Sequence, residues 1–189
     1  MKKHILLAFA LSGLAGAAYA AADTYTIDPA YSPAHFDIDR VGFSSQRGSF
    51  NKTSGQITLD LVAKKGSVEF TINTKSIDMG SAGWTAHLSD EGLFNVKKFP
   101  TMKFKSDKLV FDGEKVVAAE GQFTMLGVTR PLTVTVKNFL CGPSPVDKRA
   151  MCSGNISGKL NRSDFGLTKY IPAVSDGVSI SVPVDAYKN

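Results

Sequence analysis

Alternation with a period of two constrains this chain more than any other feature. Ala34, Phe36 and Ile38 are apolar while His35, Asp37 and Asp39 are polar, and the pattern returns over residues 57–61, 68–72, 102–104, 132–136 and 178–184. Side chains that alternate this way lie on the two faces of a strand, one face buried and the other wet. A further strand begins at residues 23–28. Gly42 and Gly48 bracket a turn or bulge, and Lys64-Lys65-Gly66, Asp112-Gly113 and Gly127 turn the chain between later runs. A Pro- and Gly-rich hairpin loop is expected from Cys141 to Cys152. The spacing predicts an all-β chain of about eight or more short antiparallel strands, arranged as a sandwich or a barrel.

Residues 81–100 break that rhythm. Trp84, His87 and Leu88 are spaced three and four apart, which is helical spacing. Ser81 and Ser89 each stand where an N-cap would, and Asp90 and Glu91 follow the second in a first turn that favours negative charge. A short helical insert in such a chain is expected to plug or lid one end of a barrel.

The inward face carries Phe36, Phe70, Met102, Phe104, Phe123 and Met125 beside branched aliphatics such as Ile38 and Val134, and the chain holds 12 phenylalanines. A barrel of about eight strands either fills itself with side chains or encloses a single apolar ligand. Two arginines keep phase with this face: Arg40 continues Ala34, Phe36 and Ile38, and Arg162 continues Ile156, Gly158 and Leu160. An inward charge is costly unless it is paired or close to water. Asp164, two residues on, is the expected partner of Arg162 in a salt bridge at the rim. The competing reading is that one of the arginines meets the polar head of a ligand.

The first 22 residues read as a leader. Lys2 and Lys3 precede a short apolar run, and Ala18-Tyr-Ala20 supplies a small-x-small cleavage pattern, with the cut after Ala20 or Ala22. The periplasm or the outside of the cell is then expected, with no transmembrane anchor after cleavage. Residues 23–189 are one domain's worth of chain. Without Lys2 and Lys3 the 22 basic residues become 20 against 17 acidic ones, a net charge of +3 spread along the chain. Nucleic acid binding requires a concentrated basic face, and this is not one. Cys141 and Cys152 are the 2 cysteines, and an oxidising compartment makes a disulfide their expected state; a redox pair or metal site would need closer spacing or histidines.

Enzyme signatures are missing. There is no G-x-S-x-G elbow, no H-E-x-x-H or H-x-x-x-H pair and no phosphate-cradling glycine loop. Beyond the leader only His35 and His87 remain, the first on the polar, exposed face of its strand. No enzyme activity, metal or cofactor is expected.

Four stretches are more specific: Tyr25-Thr-Ile-Asp-Pro-Ala-Tyr-Ser-Pro-Ala-His-Phe36; His87-Leu-Ser-Asp-Glu-Gly-Leu-Phe-Asn-Val-Lys-Lys-Phe-Pro-Thr-Met-Lys-Phe104; Gly121-Gln-Phe-Thr-Met-Leu-Gly-Val-Thr-Arg-Pro-Leu132; and Asn161-Arg-Ser-Asp-Phe-Gly-Leu167. In this order they resemble the YceI-like family of secreted bacterial lipid-binding proteins, over essentially the whole mature chain. The resemblance implies a lipocalin-like antiparallel β-barrel with its helical insert near one end. It implies a long apolar ligand: a polyisoprenoid, an isoprenoid quinone or a fatty-acid derivative.

On that basis Phe36, Ile38, Phe70, Met102, Phe104, Phe123, Met125 and Val134 are expected to touch the ligand. Trp84, Leu88, Leu93 and Phe94 become walls of the mouth, with His87 its one titratable group. Arg40, His87 and Arg162 are the head-group candidates. Tyr31 and Arg40 depart from the family, which often has His at both positions, and this bears on the head group bound. Dimerisation is common in the family, so a homodimer is a further expectation. The competing function is a filled barrel that works through its surface, as a stress-related factor or a partner of a membrane complex.

Overall fold

A computed structural model describes residues 22–40 and 42–189. The leader expected over residues 1–22 lies outside the described residues, apart from Ala22. Eleven strand segments are formed: β1 Asp23–Ile27, β2 Ala34–Arg40, β3 Ser44–Phe50, β4 Thr53–Asp60, β5 Lys65–Asn73, β6 Ile77–Asp78, β7 Thr101–Asp112, β8 Lys115–Met125, β9 Val128–Pro143, β10 Ala150–Asn161 and β11 Val174–Lys188. One helix, α1, spans Ala82–Ser89 between β6 and β7.

Every pairing is antiparallel; most join consecutive segments, whereas β1–β4, β3–β6 and β5–β7 skip one or two. β11 holds β2 along its first half (Ile180 opposite Phe36) and β1 along its last residues (Tyr187 opposite Thr26), which closes the sheet. β1 and β2 are therefore two segments of one staved wall, and β3 with β4, and β5 with β6, are two more. Counted as walls, the result is an eight-stranded antiparallel barrel with one short helix.

The interruptions have local causes. Pro29 and Pro33 cannot donate to a ladder, and between them Ser32 is fully buried: its carbonyl accepts from Thr53 Oγ1 at 2.7 Å and its hydroxyl from the Asp185 N–H at 3.3 Å. At the break between β5 and β6, Thr74 donates its hydroxyl to the Phe99 carbonyl (2.6 Å) and its N–H to the Pro100 carbonyl (3.0 Å). That pair ties the insert's far end to the barrel wall.

Alternation also changes phase inside the longer strands. Met102 and Phe104 point inward on even numbers, then Leu109 and Phe111 on odd ones, and a bulge between Lys105 and Lys108 takes up the difference. Buried Ser106 sits in it, donating to the Glu120 carbonyl (2.8 Å) and accepting the Lys108 N–H (3.1 Å), so the ladder groups freed by the bulge stay bonded. β9 switches from Val136 to Phe139 at Asn138, whose φ is +55°.

Four details differ from expectation. Gly48 bends nothing: it lies within β3 directly opposite Phe36, and a Cβ there would meet the Phe36 ring at 2.4 Å, so the strand needs its bare backbone. The turn itself is at Gly42, with φ +80°. The hairpin after β7 has Gly113 and Glu114 at its centre, because Asp112 still pairs with Lys115. The span from Cys141 to Cys152 is ladder at both ends and loop only between them: β9 reaches Pro143, β10 starts at Ala150, and the two cysteines face each other in register and form the disulfide. His35 is half-buried, with Ser49 and Ser181 beside it in the neighbouring strands.

Candidate ligand-binding cavity

The barrel is hollow. A cavity of about 650 Å³ is lined by Leu109, Val116, Phe139 and Gly154 at one end and by Arg40, Trp84, His87 and Tyr170 at the other. The first group is buried or half-buried, whereas Arg40, Trp84, Lys169 and Tyr170 are exposed, so the mouth is at the α1 end. A filled barrel has no such space. Phe36, Ile38, Phe70, Trp84, Leu88, Leu93, Phe94, Met102, Phe104, Phe123, Met125 and Val134 all line the cavity, as do Arg40, His87 and Arg162.

The lid over the mouth has two parts with different attachments. Phe94 packs against Phe50 (ring centroids 5.3 Å, edge-on) and Phe36 (6.4 Å), and Leu93, Phe94 and Val96 are all buried. That segment is anchored. α1 has no buried residue. Its last turn is joined to the anchored segment by the Phe94 N–H bond to the Leu88 carbonyl (3.0 Å), and it is further held by the Met79 N–H bond to Thr85 Oγ1 (3.1 Å) and by a bond of 3.1 Å between His87 Nε2 and Tyr170 Oη across the mouth. Trp84, His87 and Leu88 share its cavity-facing side, as their spacing requires.

Ser81 takes the N-cap position of α1 in extended conformation, but its side chain makes no capping bond. Ser89 starts no second helix: it is the last residue of α1, with its hydroxyl donated back to the Thr85 carbonyl at 2.8 Å. Asp90 leaves helical geometry, and its carbonyl accepts from both Leu93 and Asn95 in tight turns. Asn95 itself has φ +42°, which a helix excludes.

Arg162 is 4 % exposed and its partner is not Asp164, which no salt bridge includes among the described residues. A short 3₁₀ turn, Arg162–Phe165, points the Asp164 side chain elsewhere and leaves it exposed. The guanidinium donates instead to four backbone carbonyls: Ser175 (2.8 Å), Leu167 (3.0 Å), Lys169 (2.7 Å) and Val174 (3.0 Å). Burial lowers its pKa from the usual arginine value, partly opposed by the nearby Asp176 carboxylate. The side chain therefore organises the whole loop from Gly166 to Ser175.

Three mouth residues escaped the sequence reading. Lys169 and Tyr170 stand in this irregular loop, where no periodicity exists to assign a face. Gln46 had a signal, since the even positions Gln46, Gly48 and Phe50 continue the inward phase once Gly48 is read as strand. His87 is thus one of several ionisable groups at the mouth. Among the described residues no group of three or more His, Cys, Asp or Glu side chains is placed to hold a metal ion.

With this geometry in place, the profile of the YceI-like domain matches residues 25–186. The chain belongs to the YceI-like family. It is 36% identical to a UPF0312 protein of Enterobacter sp. (strain 638), covering 98% of this chain and 97% of that one. It is 32% identical to Protein YceI of Salmonella arizonae, again over 98% and 97% of the two chains. Among solved structures, Burkholderia cenocepacia BcnA superposes with a TM-score of 0.71 at 22% identity, over 84% of this chain and 98% of that one. A polyisoprenoid binding domain from Saccharophagus degradans, implicated in plant cell wall breakdown, superposes at 0.64 with 14% identity, over 87% and 98%. At such identities the likeness is one of fold. The YceI-like barrel fold is what this chain shares with those solved structures.

Proposed function

We propose that this YceI-like protein carries or sequesters a long apolar molecule, namely a polyisoprenoid, an isoprenoid quinone or a fatty-acid derivative, in the periplasm or outside the cell. The observation that supports it is the cavity of about 650 Å³, whose wall is drawn almost wholly from apolar side chains of all eight staves. Its size falls in the range of about 300–1,000 Å³ typical of ligand sites. The polyisoprenoid-binding relative of the same fold favours a chain-like occupant. Binding draws on burial: each 100 Å² of ligand surface removed from water contributes about 2.5 kcal/mol, before the cost of association. No covalent step is required. The leader pattern and the Cys141–Cys152 disulfide favour an oxidising compartment.

Organic extraction and native mass spectrometry of protein purified from its own compartment test this reading. Co-purifying isoprenoid or acyl lipid is expected, as is a mass shift when isoprenoid quinone is added. Lipid-free protein that also shows no shift with quinone overturns it.

A further inference from the structure

The permanently charged groups that line the cavity share one sign. Arg40, Arg162 and Lys169 are there beside His87, and no aspartate or glutamate is. Among the described residues, neither Arg40 nor Lys169 takes part in a salt bridge. The carboxylates nearest in the chain are engaged: Asp39 accepts the Ser45 hydroxyl, Asp37 holds Arg47 at 2.8 Å, and Asp90 lies 4.0 Å from His87. An apolar barrel that opens past uncompensated cations is built for one polarity of head.

Arg162 sets the spacing of these cations without offering much of itself. Four of its five N–H donors are used on carbonyls, one of them that of Lys169 and another that of Val174, the residue paired with Arg40 in the ladder. It therefore fixes Lys169 and the β11 edge beside Arg40 at the same rim. Lys169 in turn extends its ammonium over Gly92, where a Cβ would stand 3.3 Å from Nζ, so it bridges the anchored lid segment and the loop. Its other neighbour is the Tyr170 ring, 5.2 Å away, and Tyr170 holds His87. Arg40, with Gln46, completes the lining of the rim on the β2–β3 side.

From this arrangement we propose that the ligand is an anionic amphiphile, a long apolar chain ending in a carboxylate or phosphate that Arg40 and Lys169 receive at the mouth. This rests on the carrier reading above and narrows its ligand class. The head is held where water still reaches it, so the anion is not stripped of solvent, and charge-assisted hydrogen bonds add to the burial of the chain. Arg162 is a positioning residue in this scheme.

The test compares ligands of matched chain on the mature protein by calorimetry at low salt: farnesyl phosphate against farnesol, and oleate against oleyl alcohol. The wild-type protein is expected to bind at least one anionic member about tenfold more tightly than its alcohol, in keeping with one or two charge-assisted contacts. In the Arg40→Gln/Lys169→Gln double variant that ratio is expected to fall towards one. Both residues are exposed, and the thermal midpoint serves as the folding control; Arg40→Lys, which keeps the charge, is expected to retain the preference. A preference for phosphate alone or for oleate alone supports the proposal and identifies the head. Equal binding of anion and alcohol by the wild type, or a preference that survives in the double variant, overturns the proposal and leaves the carrier reading standing. If neither alcohols nor anions bind, this proposal fails, and the extraction and quinone shift described above decide the carrier reading separately.

Discussion

Arg162 is the most deeply buried charge in the described chain, and no carboxylate touches it. Two of its four carbonyl partners, Leu167 and Lys169, belong to an irregular loop with no strand or helix to satisfy them, and the other two, Val174 and Ser175, open β11. Arg162→Gln is expected to lower the unfolding free energy by about 3 kcal/mol, because an amide cannot reach all four acceptors and those left over are desolvated. Arg162→Lys should restore only part of this, since an ammonium lacks the planar fork. Denaturant titration of both variants measures it. Asp176 acts on the same loop through Ser163, accepting its hydroxyl (2.6 Å) and its N–H (2.8 Å). The hydroxyl bond first, and the N–H bond after it, hold the Asp176 carboxyl below its usual value. Its stabilising contribution is therefore complete above the ordinary aspartate value of 3.8 and is lost as pH falls through the lowered folded value. Asp176→Asn is expected to flatten the acid limb of the stability profile, read by denaturation at neutral and acidic pH. At this scale sequence phase located Arg162 correctly, since period two carried it inward. It misplaced the partner, because a 3₁₀ turn begins at Arg162 and the face-sharing rule of an extended chain stops there.

The insert shows the same limit at the scale of an element. Helical spacing identified Trp84, His87 and Leu88, and they do share the cavity side of α1. What spacing could not express is how shallowly that helix is seated. None of its residues is buried, while Phe94 a few residues on is locked between Phe36 and Phe50. Attachment depends on the partner surface, and for α1 that surface includes Tyr170, which comes from a loop without periodicity. The bond between His87 and Tyr170 is thus the cross-tie between the two sides of the mouth. Tyr170→Phe removes it and keeps the ring. Release of a bound fluorescent fatty acid, followed by stopped flow, is expected to be about fivefold faster, the factor that corresponds to one net hydrogen bond of about 1 kcal/mol. Stability should fall by no more than about 1 kcal/mol, the worth of that same bond, because the ring stays in place. An unchanged release rate would show that α1 does not gate the cavity.

For the whole molecule, the antiparallel all-β chain was legible because one rule, alternation, repeats along nearly its entire length; the choice of barrel over sandwich came with the family resemblance, and closure rests on the pairing of β1 and β2 with β11. The hollow was not legible from alternation. An inward apolar face looks the same whether it meets another side chain or empty space, and only the diameter and the bulges that bend the staves decide between them. A substitution can put the same question to the protein in solution. Ala119 is 4 % exposed, lines the cavity and stands opposite Leu109 and Val134 in the neighbouring strands. In a close-packed core, Ala→Phe forces neighbours off their rotamers and costs about 1–3 kcal/mol. In this barrel the ring has room to enter the cavity. Ala119→Phe is therefore expected to leave the denaturation midpoint of ligand-free protein near that of the wild type, while extraction recovers markedly less lipid and added isoprenoid quinone binds more weakly. A large loss of stability with lipid binding unchanged would mean that the space is closed in solution and that the ligand, if there is one, lies elsewhere. The two measurements together separate a container from a solid barrel, a distinction that fold likeness alone cannot supply.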